Sequence, residues 1–264
     1  MSTTHDQARL TPEQQEIKDE FVRVRGTWGE PWERMLELDP AFVRAYLHFS
    51  AVPWTGTTHL EPKVKEFVYI AADAAATHLY APGIRQHVAA AFDHGATTEE
   101  IMEVLELTST LGIHASNIGV PLLLEVLEEE GLRDGPAPLD ERRERLKAEF
   151  TANRGYWHGF WDGLLELDPD LFEAYIEFSS VPWKTGPLPP KVKELVYIAF
   201  DASATHLYVP GLKLHMQNAV RLGATAGEVM EVLAIVSVIG IHAATTAVPV
   251  LAEIAAERAR SAAS

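Results

Sequence analysis

The sequence predicts an all-α protein built from two tandem helical-bundle repeats. An internal duplication covers most of the 264 residues, and helix-start signals fall at matched positions of the two copies. Alternating strand patterns with hairpin turns are missing from the sequence. Hydrophobic residues make up 47% of the chain, which is enough for a sizeable core.

The duplication is visible in short identical segments at a constant spacing. Pro62–Glu66 returns as Pro190–Glu194, and Ala76–Tyr80 returns as Ala204–Tyr208, both at an offset of 128 residues. Further upstream the offset is 129, where the Leu-Glu-Leu-Asp-Pro segment at 36–40 returns at 165–169. Each copy is too long for a solenoid unit, so we expect each to form a small helical domain.

A polar segment rich in Gly and Pro joins the two copies. We therefore place a first helical repeat at residues 1–130, a linker at 131–139 and a second helical repeat at 140–264. Since the two copies share their apolar pattern, we expect them to fold alike and to pack together as a pseudo-dimer.

Capping signals give each repeat five or six helices. Thr11 stands before Pro12 with Gln14 three residues on, which is a capping box followed by a helix-starting proline. Asp39-Pro40 and Asp168-Pro169 are also cap-then-proline starts. Two more capping boxes precede apolar runs of helical spacing, at Thr97 with Glu100 and at Thr225 with Glu228.

Composition excludes several classes of function. Lys and Arg number 22 against 38 Asp and Glu, and the net charge of −16 disfavours nucleic acids and anionic membranes as partners. The chain has no cysteine, which excludes disulfides, iron–sulfur clusters and thiol nucleophiles. The polar segment Met1–Arg9 has no apolar signal core, so we expect a cytoplasmic protein.

One apolar segment is long enough to be considered as a membrane span. Between Glu231 and Glu253 the chain has no charged residue, but Gly240, His242 and Pro249 interrupt it and the earlier copy carries Glu106. We interpret it as buried core helices.

Polar groups on apolar helices are the candidate functional residues. Glu66 and Asp73 lie two helical turns apart, and so share a face, on a segment that is otherwise almost wholly apolar. A buried carboxylate requires a partner, and it is a plausible acid, base or ligand. His78 ends that helix, and His87 follows a Pro-Gly turn on the next one. We expect Glu66, His78 and His87 to converge in one pocket.

The second copy repeats this set, and it predicts a second pocket formed by Glu194, His206 and His215. Asp201 is the counterpart of Asp73. His114 and His242 are interpreted as core histidines. The matched tryptophans are interpreted as core residues or as an aromatic wall for a substrate: Trp28, Trp54, Trp157 and Trp183. Arg85 and Lys213 are interpreted as solvated side chains or as an anion site.

These residues resemble a known family. A glutamate on a central helix, a turn, a histidine, eight residues to a glycine and then a capped helix are similar to the carboxymuconolactone decarboxylase and alkylhydroperoxidase-D-like family. The resemblance covers about residues 61–125 and 189–253 and carries onto Glu66, Glu194, His87 and His215. It implies an all-helical fold of the alkylhydroperoxidase-D-like type. Since family members commonly form trimers or hexamers of single domains, it also implies a homo-oligomer, with three tandem chains making a pseudo-hexamer.

The chain departs from the peroxidase branch of that family. That branch uses a Cys-x-x-Cys pair before the histidine, whereas the segment from Thr77 to Gly83 contains His78 and no cysteine. Thiol peroxidase activity is therefore excluded. The decarboxylase branch, which works without thiols, remains, and the roles of His78 and His206 rest on their own chemistry rather than on the resemblance.

Three functional hypotheses follow. The first is a cofactor-free lyase, decarboxylase or isomerase acting on a small organic acid or lactone. In it His87 and His215 are the general acid/base, Glu66 and Glu194 orient them, and His78 and His206 supply a second proton or bind a carboxylate.

The second hypothesis is a metal-dependent enzyme, in which a divalent metal is held by the two histidines and one carboxylate of each set: Glu66, His78 and His87, or Glu194, His206 and His215. His114 or Asp73 is a candidate extra ligand in the first set. The third is a non-catalytic helical scaffold that binds a ligand.

Overall fold

The computed structural model of the chain describes residues 10–262, and the regular secondary structure of this range is helical. The segment Met1–Arg9, which carried the cytoplasmic expectation, lies outside the described residues. The first repeat contributes α1 (Pro12–Arg25), α2 (Glu30–Leu38), α3 (Pro40–Thr55), α4 (Pro62–Ala74), α5 (Ala81–Asp93), α6 (Thr98–Ser109) and α7 (His114–Glu129). The second contributes α8 (Glu141–Arg154), α9 (Phe160–Leu167), α10 (Pro169–Thr185), α11 (Pro190–Ala202), α12 (Val209–Arg221), α13 (Ala226–Val238) and α14 (His242–Ala262).

The all-α prediction and the tandem repeat are confirmed, with seven helices per repeat in the described residues rather than five or six. The capping signals lie where the sequence placed them. The Thr97 and Glu100 side chains each accept the other's backbone N–H, and the same reciprocal bonds join Thr225 and Glu228. The Asp39 side chain accepts from Phe42 N at 3.0 Å and so starts α3 directly after α2.

The residues divide into two compact units, Leu60–Val236 and a smaller one formed by residues 10–59 with 237–262. These units cross the boundaries predicted at 130 and 140, and the predicted linker 131–139 lies inside the larger unit. The physical reason is that the last helix of each repeat covers apolar surface of the other repeat, so the units of packing are not the units of duplication.

In the larger unit, α7 of the first repeat packs against α9 of the second. Ile113 and Val120 join the core cluster of Phe150, Trp161 and Phe172. Gly163 of α9 makes room for this approach, since a Cβ there would lie 2.7 Å from a methyl carbon of Leu124.

The smaller unit shows the equivalent arrangement. Here α14 packs against α2, and Ile241 lies in a buried cluster with Phe21, Met35 and Leu36. Trp28 packs partly buried on this cluster, which agrees with its interpretation as a core residue.

The central helices α4 and α11 pack against each other within the larger unit, as the predicted pseudo-dimer requires. Each carries ten buried residues, among them a lysine, a glutamate and an aspartate. The lysines form ion pairs across the duplication: Lys65 Nζ lies 2.8 Å from Glu231, and Lys193 Nζ lies 2.6 Å from Glu103. Each of these glutamates also accepts a backbone N–H of the other repeat, from Leu60 and Leu188 respectively.

Two segments, Thr98–Glu129 and Ala226–Ala262, have the length and apolarity of a membrane-crossing helix, which by itself is weak evidence. Both are broken by a 3-10 turn, at Thr110–Ile113 and Ile239–Ile241. The interpretation of Glu231–Glu253 as buried core helices fits α13, where Val232 and Ile235 are buried. It does not fit α14, where Val250 and Leu251 are exposed.

Candidate active site

Each repeat contains a buried, hydrogen-bonded pair of a glutamate and a histidine. His87 Nδ1 lies 2.7 Å from Glu66 Oε2, and His215 Nδ1 lies 2.6 Å from Glu194 Oε2. The glutamates stand on the central helices and the histidines on the helices that follow, α5 and α12. A carboxylate accepts hydrogen bonds, so Nδ1 of each histidine is the donor to its glutamate, and Nε2 is the ring nitrogen on the side away from that contact.

A tyrosine holds each imidazole ring. The ring centroids of Tyr69 and His87 are 4.1 Å apart with planes 1° from parallel, and those of Tyr197 and His215 are 4.2 Å apart and 7° from parallel. Each tyrosine follows its glutamate by three residues, which places both on the same face of the helix. The ring plane and the Nδ1 contact together fix the direction of Nε2.

The two pairs differ in one partner. In the second repeat Asn218 donates its side-chain amide to Glu194 Oε1 at 3.3 Å. The residue at the corresponding position of the first repeat is Ala90, which has no side-chain donor. The second glutamate is therefore held through both of its oxygens.

The pairs bring together two of the three residues predicted for each pocket. The third histidine has other neighbours: the ring of His78 lies 6.0 Å from the ring of Tyr80, and His206 Nε2 lies 2.7 Å from His114 Nδ1. His114 is buried, as its interpretation as a core histidine predicts, and its partner is a polar residue of the other repeat. Burial lowers the pKa of both His78 and His206.

A cluster therefore forms in the larger unit from His114, Asp201 and His206. The ring of Tyr208 stacks on His114, with centroids 3.8 Å apart. Burial first, and then the nearby His206 and His215, lower the pKa of His114 to about 3. Burial and the charge of Glu194 raise the pKa of Asp201 to about 8.

These three side chains are the ones that could hold a metal in this unit. The ligand atoms of His114, Asp201 and His206 all lie within 4.8 Å of one another. The predicted metal set of Glu194, His206 and His215 does not group in this way among residues 10–262, nor does the set of Glu66, His78 and His87. The reason is that Glu66 and Glu194 engage Nδ1 of His87 and His215, and His206 turns to His114.

The sequence reasoning missed Arg154. This arginine ends α8, is buried, and has its guanidinium carbon 4.8 Å from the Trp183 ring and 5.1 Å from the Tyr197 ring. Burial opposes its charge, but Tyr197, Tyr156, Tyr175 and Glu194 outweigh that effect and raise the pKa of Arg154 above its ordinary value. In the described part of the chain it has no carboxylate ion-pair partner; the Ser179 carbonyl accepts from it at 3.4 Å, and the side chain of Tyr156 is a further hydrogen-bond partner.

Arg154 therefore supplies a buried positive charge beside the ring that stacks on His215. The Trp183 ring packs against this guanidinium, and its role as an aromatic wall for a substrate stays a prediction. The residues predicted for anion binding, Arg85 and Lys213, are exposed. A sequence signal for Arg154 exists, because Arg25-Gly26 returns as Arg154-Gly155 at the offset of 129.

The fold and this site define a two-repeat helical protein with one buried glutamate–histidine pair in each repeat. The family model described as the carboxymuconolactone decarboxylase family matches residues 40–113 and 169–253. The chain belongs to this family.

A solved structure is similar over nearly the whole chain. It is the crystal structure of a candidate gamma-carboxymuconolactone decarboxylase subunit from Burkholderia xenovorans LB400. This chain is 62% identical to it, with a TM-score of 0.90, and the match covers 95% of this chain and 100% of that one. No curated protein matches the chain significantly. The family and this relative support a function of the decarboxylase or lyase type.

Proposed function

We propose that the protein is a lyase, of the decarboxylase or isomerase type, that acts on a small organic acid or lactone by glutamate–histidine acid–base chemistry. The observation that carries the proposal is the contact of His215 Nδ1 with Glu194 Oε2 at 2.6 Å in a buried site. An imidazole whose Nδ1 is held by a carboxylate is oriented to transfer a proton through its other ring nitrogen, as a general acid or base does.

Arg154 supports an acidic substrate. A buried guanidinium attracts an anion, and its planar donors suit a carboxylate. Tyr197 links the two functions, because its ring centroid lies 4.2 Å from that of His215 and 5.1 Å from the guanidinium carbon of Arg154. A substrate carboxylate held by Arg154 would therefore lie beside the ring that stacks on His215.

The proton transfer follows from this arrangement. In a decarboxylation the bond between the carboxyl carbon and its neighbour breaks, and carbon dioxide leaves. The electron pair of that bond moves into the adjacent unsaturated carbonyl system. Protonated His215 then donates its Nε2 proton to the carbon that lost the carboxyl group. In an isomerisation the same nitrogen first removes a proton and then returns it to a different carbon.

The test is turnover of a lactone acid, with gamma-carboxymuconolactone as the first compound because it appears in the relative's name. Changing both His87 and His215 to Ala should lower kcat by about 10² to 10⁴, the usual contribution of general acid–base catalysis. Each single change should leave about half the activity if the two repeats work independently. The control is His94→Ala, at an exposed position of the first repeat.

The rival functions give different results in the same assay. A double variant that keeps full turnover would remove these histidines from the chemistry. A non-catalytic scaffold would bind the lactone acid without changing it in wild type and variants alike. Inactivation of the wild type by a chelator, reversed by a divalent metal, would favour the metal-dependent alternative.

A further inference from the structure

The cluster of His114, Asp201 and His206 is not used by the proposed acid–base mechanism. His114 begins α7 of the first repeat, whereas Asp201 lies in α11 and His206 just after it, so the group joins the two repeats inside the larger unit. His114 Nδ1 lies 2.7 Å from His206 Nε2 and 3.7 Å from Asp201 Oδ1. A first-row metal with bonds of about 2.0–2.2 Å separates neighbouring ligand atoms by about 3.0–3.5 Å. The two measured separations lie on either side of that range.

Asp201 is the member of the cluster whose burial is not compensated by a hydrogen bond. Its side chain is fully buried, and in the described part of the chain neither carboxylate oxygen has a hydrogen-bond partner. At 3.7 Å its Oδ1 is beyond hydrogen-bond distance of His114. A buried carboxylate in this condition is costly unless a cation or donor satisfies it.

The surrounding backbone leaves room for that carboxylate. A Cβ at Gly211 would lie 2.5 Å from Asp201 Oδ2 and 2.6 Å from a ring carbon of Tyr208. Gly211 lies in the first turn of α12 rather than in a turn between helices, and it is required by the space that Asp201 and Tyr208 occupy. The close packing of Gly211 and Tyr208 therefore fixes the position of the Asp201 carboxylate.

An unusual turn next to His206 orients its side chain. Leu207, between His206 and Tyr208, has φ of +48°, a left-handed conformation that is uncommon for a leucine. The strained turn directs His206 to Nδ1 of His114 and brings the Tyr208 ring against the His114 ring. His206 is partly exposed, so an ion can reach the cluster from solvent. Strain of this kind is typical of functional positions.

We propose that His114, Asp201 and His206 form a binding site for a divalent first-row transition-metal ion. Two imidazoles and one carboxylate are the ligand types that suit Zn²⁺, Fe²⁺, Mn²⁺ or Co²⁺, with further positions open to water. Asp201 supplies the charge, and His114 and His206 supply one ring nitrogen each. The site adjoins the second glutamate–histidine pair but uses none of its residues, because the Nδ1 atoms of His87 and His215 are already taken by Glu66 and Glu194.

The test is metal binding by the full chain after dialysis against chelator, with Zn²⁺ as the probe in calorimetry and Co²⁺ as the probe in absorption spectroscopy. The wild type is expected to bind Zn²⁺ at this site and to give Co²⁺ absorption bands of an imidazole–carboxylate site. His206→Ala and Asp201→Asn should each weaken that binding at least 100-fold. The exposed control His94→Ala should bind as the wild type does.

Folding is monitored separately, because His114 is buried and its substitution can disturb packing. Two variants decide whether the metal site exists: His206→Ala, at a partly exposed position, and the isosteric Asp201→Asn. Zn²⁺ should raise the Tm of the wild type and of His94→Ala but not that of folded His206→Ala. Equal Zn²⁺ binding by wild type, His206→Ala and Asp201→Asn would overturn the proposal, and so would a wild type that binds no Zn²⁺ at millimolar concentration. Neither result depends on turnover, so the proposed acid–base function is tested independently.

Discussion

Lys193 of the second repeat and Glu103 of the first form a fully buried ion pair, with Nζ 2.6 Å from Oε1. Glu103 also accepts the backbone N–H of Leu188 at 2.6 Å, so one carboxylate satisfies a lysine and a main-chain donor of the other repeat. The pair of Lys65 and Glu231 repeats this relationship in the opposite direction. The charged residues of the central helices therefore tie the two copies to each other.

Breaking this pair should destabilise the protein strongly. Changing Glu103 to Gln leaves Lys193 charged and buried, and removing one partner of a buried pair typically costs about 3–5 kcal/mol. Denaturant unfolding measures the loss, and the double change Glu103→Gln with Lys193→Met should recover much of it, because no charge is left alone and the amide oxygen still accepts the Leu188 N–H. The control Glu141→Gln lies at an exposed pair with Arg145 and should leave the free energy of unfolding unchanged. A Glu103→Gln protein as stable as wild type would contradict the expectation.

Arg154 should govern binding of the acidic substrate in the second repeat. In a His87→Ala background, which silences the first pair, Arg154→Met should raise KM by about two orders of magnitude or more, because truncating one partner of a buried charge pair costs about 2–5 kcal/mol. The methyl ester of the substrate has no charge for Arg154 to hold, so its binding should change little. Calorimetric titration of acid and ester separates these outcomes. Exposed Arg85→Ala is the control, and a purely structural Arg154 would weaken both ligands equally.

Asp73 should make stability depend on pH. Burial, with the charge of Glu66 added, raises the pKa of Asp73 to about 8 from an ordinary value of 3.8. The folded chain then holds a proton that the unfolded chain releases, so the free energy of unfolding falls as pH rises from about 4 to about 8, by up to about 1.4 kcal/mol per pH unit. Asp73→Asn should remove this component. Urea unfolding between pH 5 and pH 8 tests it, with exposed Asp93→Asn as control. Parallel curves for wild type and Asp73→Asn would refute it.

The exposed face of α7 should mediate self-association. Ile118, Leu122 and Val126 lie one helical turn apart, and each is at least half exposed in the single chain. An apolar stripe of this kind marks an interaction surface, and a homo-oligomer, with three chains as a pseudo-hexamer, stays our prediction. Leu122→Glu with Val126→Glu should reduce the mass measured by light scattering to that of one chain. Gln217→Glu at an exposed site of α12 should not, and a wild type that is monomeric would exclude the prediction.

The sequence was sufficient to predict the helices and the glutamate–histidine pairs of the candidate site. Caps such as Thr97 with Glu100 are local signals, and local contacts decide them. Glu66 and His87 were also predictable as partners, because a buried carboxylate must be satisfied by a nearby group and one Pro-Gly turn separates the two helices.

The contacts between the repeats could not be predicted in the same way. His114 and His206 are 92 residues apart, and a histidine that begins an apolar helix has the same local pattern whether it is a core residue or a ligand. Arg154 ends α8, which is a strongly polar helix, so the sequence around it predicts an exposed side chain. Only the packing of α8 against α10 shows it to be buried.

The packing of α7 on α9 bears on how the gene duplication arose. A single ancestral copy would have left the apolar face of its own second helix uncovered, and Glu103 would have had no lysine or loop to bind. Two identical single-repeat chains that exchanged their last helices would satisfy both groups, and the two-repeat chain makes the same exchange within one polypeptide. The matched positions beside the two glutamates now differ, with Asn218 in one copy and Ala90 in the other.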